Sequence, residues 1–458
     1  MIHSIDEKTL STKKHLHFIG IGGSGMFPLV QILHSRGFYI TGSDNNETDT
    51  LNYERSVLGI PIHLGHSAEN IKGADCVVYT AAILPDNVEL VAAKNSGALV
   101  VERSEMLGLI SREYPDAVCV CGTHGKTTCT SMITQILLGA GLDPSAVIGG
   151  KLKAIGGSGR VGKSSLFVCE ACEFVDTFLH LDPDVAVILN IDDDHMDYFK
   201  TIDNSIRSFH RFAEMASRAV IYNGDDANTC RAVEGIEGKE MITFGLSSQN
   251  DYYPADLSYP SGTCTRFTLM HRGEAVCPVT LNIPGRHNVC NALAAAAASL
   301  YAGAKPRDIT EYLAQFRGAG RRFEILGEVN GVTIADDYAH HPRELEVTLK
   351  AASEMGFRKV WAVFQPFTYS RTSLLFDDFV RVLQIPDHTV LSEIMGSREV
   401  NTYGIYSKDL AEKIPGCVWF PGFPEIAGYV MAHAQPGDLV ITLGCGDIYK
   451  CARMMLQG

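Results

Sequence analysis

The sequence predicts an α/β chain of three successive domains, and three observations carry that expectation. Strand-like apolar runs alternate with helical stretches from end to end, the rhythm of parallel sheets. Two breaks punctuate it: Pro115 ahead of a new strand, and Gly318 with Gly320 inside a linker-like "FRGAGRRFEIL". The chain length, 458 residues, suits two to four domains. The segments so cut are 1–113, 114–318 and 319–458.

Within the first segment, "HLHFIGIGG" reads as a strand, "MFPLVQILHSRG" as a helix, and "FYITGSD" and "ADCVVYTAAI" as further strands. The second opens with strand "AVCVC", continues through strands "SLFVCE" and "VAVILNI", and closes with helix "NVCNALAAAAASLYAGA". The third repeats the rhythm with "KVWAVFQ", "TVLSEI" and "DLVITLGCGDIYK".

Composition narrows the function. A net charge of −14 argues against a general nucleic-acid or anionic-membrane surface, either of which calls for excess Lys and Arg. The first residues carry mixed charge and only a short apolar run, unlike a secretory signal, and no stretch reaches the length of a membrane span. Thirteen cysteines lie scattered, several inside apolar runs, as reduced cysteines packing as small hydrophobes do; a reducing cytoplasm is expected.

Two stretches compete as a phosphate loop. "GSGRVGKS", 157–164, fits G-x-x-x-x-G-K-[ST] fully, whereas "VCVCGTHGKTTCTSM" has Val120 where the first glycine belongs. A phosphate loop works because a strand delivers the chain into a turn whose N–H groups face the anion, and a helix then adds its free N–H groups and positive end. Context therefore outranks the pattern. The 157–164 stretch leads into a strand, so Lys163 is expected to face solvent. At 117–138 the order strand, turn, helix is right: Gly122, Thr123, His124 and Gly125 would form the turn, with Thr128 behind them. Lys126 would then reach the β/γ-phosphates and the Thr127 hydroxyl would suit Mg²⁺.

Strands "SLFVCE" and "VAVILNI" end in "EACEFVD" and "DDDHMDYF", which should face that loop, because ligands lie beyond the carboxyl ends of strands. Glu173 is the first choice for a Mg²⁺ ligand and Glu170 is read as structural; among Asp192, Asp193, Asp194, His195 and Asp197 the residues alone do not choose. His287 and Asn288 open a helix with groups suited to a base edge. Arg321 and Arg322 suit a transferring phosphoryl group, and Asp336, Asp337, Tyr338, His340 and His341 follow closely in sequence. "GIGGSGM" at 20–26 has G-x-G-x-x-G between strand and helix, with Asp44 placed as a ribose-binding acid; by pattern alone this is an NAD site, but the same geometry holds any diphosphate.

Taken in order, "GIGGSGM", "GTHGKTT", "EACEFVD", "NIDDDHMDYF", "GRHNVCNALAAA", "GRRFE", "DDYAHHP", "FQPFTYSRT" and "GCGDIYK" resemble the Mur ligases over essentially the whole chain. The resemblance implies a Rossmann-like N-terminal domain, a central P-loop ATPase-type domain and a Rossmann-like C-terminal domain. It implies that Gly20, Gly22, Gly23, Ser24, Gly25 and Asp44 bind a UDP-sugar rather than NAD. Gly122 to Thr128, His287, Asn288 and Asp336 would bind ATP; Thr127, Glu173 and His195 would hold Mg²⁺; and Lys126, Glu173, His195 and Arg321 would be catalytic. Tyr338, His340 and Arg371 would receive the amino acid. The implied reaction joins L-alanine to the lactyl carboxylate of UDP-N-acetylmuramate at the expense of ATP, in the cytoplasm, by a monomer or weak homodimer. The alternative is attachment of a recycled peptide to the same sugar nucleotide. Two departures stand out: Phe367 and Thr368 occupy positions that are more often His and Arg in the family, and Cys172, Phe174 and Val175 replace polar members of the acidic motif.

Overall fold

The computed structural model describes residues 10–261, 264–397 and 399–457, with the Asp197 and Ser261 side chains also outside the described parts. Strands β1 (His15–Ile19), β2 (Tyr39–Asp44), β3 (Ile62–Leu64), β4 (Cys76–Tyr79) and β5 (Leu99–Glu102) form an all-parallel sheet in the order β3-β2-β1-β4-β5. Helix α1 (Phe27–Ser35) links β1 to β2; Pro28 suits its first turn, and Leu29, Val30, Ile32 and Leu33 are buried.

A second sheet contains β6 (Asp116–Cys121), β7 (Ser145–Leu152), β8 (Gly157–Arg160), β9 (Leu166–Glu170), β10 (Val185–Ile188), β11 (Ala219–Asn223) and β12 (Glu240–Phe244), in the order β12-β11-β10-β6-β9-β7-β8. Strands β13 (Tyr252–Ser261), β14 (Cys264–His271) and β15 (Glu274–Leu281) extend it beyond β12. Strand β6 pairs in parallel with β10 on one side and β9 on the other, so it is a topological switch point with a crevice at its carboxyl end. Its residues Ala117 to Cys121 are all buried, as a strand covered on both faces requires.

The fully matching 157–164 stretch is structural. Its first half is β8, antiparallel to β7. Ser158 Oγ donates to the Ser24 carbonyl at 3.2 Å, and a Cβ on Gly159 would stand 2.7 Å from the Pro28 Cα, so these glycines let a strand approach α1. Lys163 is exposed, its N–H donating to Asp143 Oδ2 at 2.9 Å.

The third sheet comprises β16 (Glu324–Val329), β17 (Val332–Asp337), β18 (Val360–Phe364), β19 (His388–Leu391), β20 (Val418–Trp419) and β21 (Leu439–Leu443), ordered β16-β17-β21-β18-β19-β20. All pairings are parallel except β16 with β17. The chain gathers into two compact units: Met1–Ala255 with Thr268–Val279 and Cys290–Leu313, and Asp256–Phe267 with Thr280–Val289 and Ala314–Gly458. No described helix is long and apolar enough to cross a membrane.

Candidate active site

In the first unit the site is built on the carboxyl end of β6. Gly122 has φ +140° and Gly125 φ +87°, backbone that L side chains rarely adopt. Space agrees with conformation: a Cβ on Gly125 would stand 2.4 Å from Asn291 Oδ1. Asn190, just past β10, latches the turn. Its carbonyl accepts from Thr123 N at 3.0 Å, its Oδ1 from His124 N at 2.8 Å, and its Nδ2 donates to the His124 carbonyl at 3.0 Å. Helix α2 (Lys126–Gly139) starts at once with Gly125 as N-cap and no side-chain cap, leaving N–H groups and the positive helix end directed at the turn.

Lys126 curls back over this turn. Its ammonium donates to the carbonyls of Gly122 (2.6 Å) and Thr123 (3.1 Å) and to Glu173 Oε1 (3.0 Å). Burial alone would push that ammonium toward its neutral form; the charges of Glu173, Cys172 and Glu170 more than offset it, so its pKa lies above the ordinary lysine value. Thr127 Oγ1 donates to Glu170 Oε2 at 2.8 Å, which also accepts from Gly149 N at 2.9 Å. Glu170 thus bridges the loop and β7, in the structural role its sequence position suggests, whereas Asn190 does not stand out in sequence.

Glu173 is 2% exposed, and its Oε2, although 2.9 Å from the Lys126 ammonium, makes no hydrogen bond of acceptable geometry. His195 reaches the same carboxylate, Nε2 to Oε1 at 3.9 Å, from a left-handed backbone conformation (φ +55°), and its ring packs 4.6 Å from that of Phe174. Asp194 lies 3.8 Å from His195 and Asp192 lies 3.5 Å from His124. A buried carboxylate oxygen without a hydrogen bond of its own, close to the phosphate-loop turn, fits a hard divalent cation that keeps most of its water. Among the described residues no group of three or more His, Cys, Asp or Glu is arranged to ligate a metal, which a Mg²⁺ bound largely through phosphates and water does not require.

At the N-terminal turn Gly20 has φ +82° and its carbonyl accepts from Gly23 N at 3.2 Å. Asp44, at the end of β2, accepts from Gly22 N at 3.0 Å and Asn46 N at 3.1 Å. A Cβ on Gly25 would lie 3.4 Å from the Arg103 side chain, which puts a cation beside Ser24 and Gly25.

In the second unit Arg321 is clamped, Nε to Asp336 Oδ2 at 2.8 Å, Nη1 to the Gly446 carbonyl at 3.1 Å and Nη2 to the Gly444 carbonyl at 2.5 Å. It also lies over the rings of Tyr338 and Tyr449 at 5.1 and 4.9 Å. Asp337 accepts from Phe323 N and Ala339 N, both at 2.7 Å; burial, partly countered by Arg322, raises its pKa to about 6. Glu344, unremarked in the sequence, lies 3.2 Å from His340 Nδ1. Burial would raise its pKa, but His340 and Arg322 hold it well below the ordinary carboxylate value. Arg371 Nη1 is buried without a partner. Asn288 Nδ2 donates to the Pro284 carbonyl at 2.6 Å, and the His287 ring sits over Gly285, where a Cβ would be 2.4 Å away.

Three family models match in sequence order. They are the Mur ligase family catalytic domain over 15–115, the Mur ligase middle domain over 120–299, and the Mur ligase glutamate ligase domain over 321–446. Among curated relatives, the UDP-N-acetylmuramate–L-alanine ligase of Caldanaerobacter subterraneus is 43% identical, covering 98% of this chain and 99% of its own. That of Agathobacter rectalis is 45% identical, covering 97% and 98%. Among solved structures, the UDP-N-acetylmuramate–alanine ligase of Thermotoga maritima superposes with TM-score 0.83 at 27% identity, covering 97% of this chain and 98% of that one. A murein peptide ligase of Psychrobacter arcticus shares the fold, TM-score 0.74 at 24% identity, with the same coverage. Matched along nearly its whole length by all three models and by relatives of equal extent, this chain belongs to the Mur ligase family.

Proposed function

We propose that the chain ligates L-alanine to the lactyl carboxylate of UDP-N-acetylmuramate, converting ATP to ADP and phosphate. The observation that carries this reading is the glycine turn at the end of β6, with Lys126 and Glu173 poised over a free helix N-terminus, in a chain 43% identical end to end to a UDP-N-acetylmuramate–L-alanine ligase. The recycled-peptide alternative draws its support from two solved peptide ligases at 24% and 27% identity, against 43% for the alanine ligase.

A carboxylate is a poor electrophile, so its oxygen first attacks the γ-phosphorus, the bond to ADP breaks, and an acyl phosphate forms. The amine nitrogen of alanine then attacks the acyl carbon, phosphate departs with the bonding pair, and the amine loses a proton. Lys126 and the N–H groups of Gly122 to Thr128 hold the phosphates; Thr127, Glu173 and His195 would hold Mg²⁺, which when bound offsets phosphate charge. Arg321, clamped by Asp336 and two carbonyls, is a preoriented cation for the transferring group. Asp336, His287 and Asn288 serve the nucleotide end. Gly20, Gly22, Gly23, Ser24, Gly25, Asp44 and the adjacent Arg103 serve the UDP-sugar. Tyr338, His340 and Arg371 serve the amino acid.

We place the domain boundaries at 113/114 and 318/319, and the enzyme in the cytoplasm as a monomer or weak homodimer. Phosphate release with UDP-N-acetylmuramate against a panel of amino acids and a tripeptide tests the reading. L-Alanine should give the highest kcat/KM, and a higher value for the tripeptide or for an acidic amino acid would refute it.

A further inference from the structure

One buried acceptor in the second unit has no use in the fold. Gln365 is 7% exposed, yet its Oε1 has no hydrogen-bond partner. Buried polar atoms are nearly always paired, so an orphan calls for an explanation. Its position supplies one. Gln365 follows β18 directly, and its N–H donates to the Leu443 carbonyl at the end of the parallel neighbour β21. It therefore stands at the carboxyl edge of the two central strands, where open α/β sheets bind ligands.

The surroundings bury that oxygen without giving it a donor. A Cβ on residue 446 would fall 2.5 Å from Gln365 Oε1 and 2.5 Å from Met395 Sδ, so only glycine at 446 leaves the acceptor room. Arg371, six residues on, has the complementary defect, a buried Nη1 donor without a partner. Both border the Gly444–Gly446 turn: burial pushes the Cys445 thiol up to about 12, while the nearby charge of Arg371 works against that rise. An unpaired acceptor and an unpaired guanidinium donor at one turn match the two ends of an α-amino acid.

We propose that Gln365 holds the amino group of the incoming amino acid through its amide oxygen while Arg371 holds the carboxylate, making Gln365 a specificity-determining residue for free α-amines. This rests on the ligase reading above. An amide oxygen suits the task because it accepts an N–H without being basic. It orients the amine while leaving it free to lose its proton and attack, whereas a carboxylate would favour the unreactive ammonium.

The test uses the full chain and begins with the wild type, whose failure to ligate L-alanine would overturn the ligase reading and this inference with it. With ligation established, Gln365→Leu should raise the KM for L-alanine about tenfold or more. The KM values for ATP and UDP-N-acetylmuramate should stay within about twofold. Propionate, which has the carboxylate and lacks the amine, should inhibit wild type and variant alike. Gln365→Glu, which keeps an acceptor, should hold the alanine KM within about threefold while lowering kcat and moving the acid limb of the pH–rate profile upward. A propionate Ki that rises in step with the alanine KM, or an alanine KM unmoved in Gln365→Leu, would overturn the assignment while leaving the ligase reading intact. If Gln365→Leu does not fold, Gln365→Glu decides alone, and a tenfold loss for alanine matched by one for ATP counts against it.

Discussion

Replacing Lys126 by Met separates what the residue does for the fold from what it does for the reaction. The ammonium and the Glu173 carboxylate form an ion pair 14% and 3% exposed at the side chain, and the ammonium also satisfies two loop carbonyls. Removing the cation leaves a buried carboxylate uncompensated, a change that costs about 3–5 kcal/mol. Urea unfolding of the ligand-free protein should register that loss. Ligation should fall at least about a hundredfold, because a charge placed for the transferring phosphoryl group is gone. The double variant Lys126→Met/Glu173→Gln divides the two effects. With both partners neutral the burial penalty disappears, and stability should return to within about 1 kcal/mol of wild type. Activity should stay low. Lys163→Ala, exposed and bonded only through its backbone, should change stability by no more than about 0.5 kcal/mol and leave phosphate release near wild type. A double variant that recovered ligation, or a Lys163→Ala loss exceeding that of Lys126→Met, would refute the placement of the phosphate at the 122–128 loop.

Gly125→Ala should damage ATP use more than stability. A Cβ there meets Asn291 Oδ1 at 2.4 Å from a left-handed backbone that costs an alanine about 1–2 kcal/mol, and the KM for ATP against that for alanine reads the difference. Gly159→Val should destabilise by more than about 2 kcal/mol in thermal unfolding, because its Cβ would strike the Pro28 backbone at 2.7 Å; a neutral result would show that the 157–164 match is not a packing feature. Asp337, raised to about 6 from 3.8, binds its proton more tightly folded than unfolded. Its protonation therefore favours the fold fully below pH 4, and that contribution drains away as the pH rises to about 6. Relative to Asp337→Asn, the wild type should lose up to about 1.4 kcal/mol per pH unit across that window, and parallel stability curves for the two proteins would contradict it.

The order of strands and helices around the nucleotide end was legible because each element carries its own signal. Ala117 to Cys121 is an unbroken apolar run feeding a glycine turn, β9 ends in Glu170, and β10 is followed four residues on by Asp192. Strands β13 to β15 escaped notice because Pro254, Pro260 and Pro278 interrupt runs that alternate only partly with polar residues. Such strands are specified by their neighbours rather than by local pattern. The perfect 157–164 motif was set aside on context, and the structure shows what its glycines do instead: glycines that admit a phosphate also admit a helix, and here α1 packs against them. The residues that brace the site were hidden for a different reason. Asn190 and Glu344 act through partners 66 and 4 residues away, and single-chain spacing says nothing about such pairings unless they share a helix turn.

The 367–371 segment, proposed above to receive the amino acid, combines a departure in side chains with a strained backbone. Thr368 is β-branched yet holds φ +64°, a conformation costing about 1–3 kcal/mol that persists only where surrounding bonds dictate it. Those bonds are present. Its N–H donates to the Met395 carbonyl at 2.9 Å, its carbonyl accepts from Thr372 Oγ1 at 2.7 Å, and its hydroxyl accepts from Arg371 N at 3.4 Å as the helix cap. Phe367 bridges Met395 beside it and stands edge-on to His340 at 6.4 Å. The strained residue thus fixes where the following turn of helix begins, and with it the guanidinium of Arg371. Threonine stands at 368, where the resemblance more often has a cation, and the backbone bend ahead of Arg371 is held at an energetic cost. Because a pocket discriminates one methylene by only about 1–3 kcal/mol, choice among small amino acids depends on how firmly their common ends are gripped before side-chain size is sensed. Holding Arg371 at the expense of backbone strain is what such a grip requires.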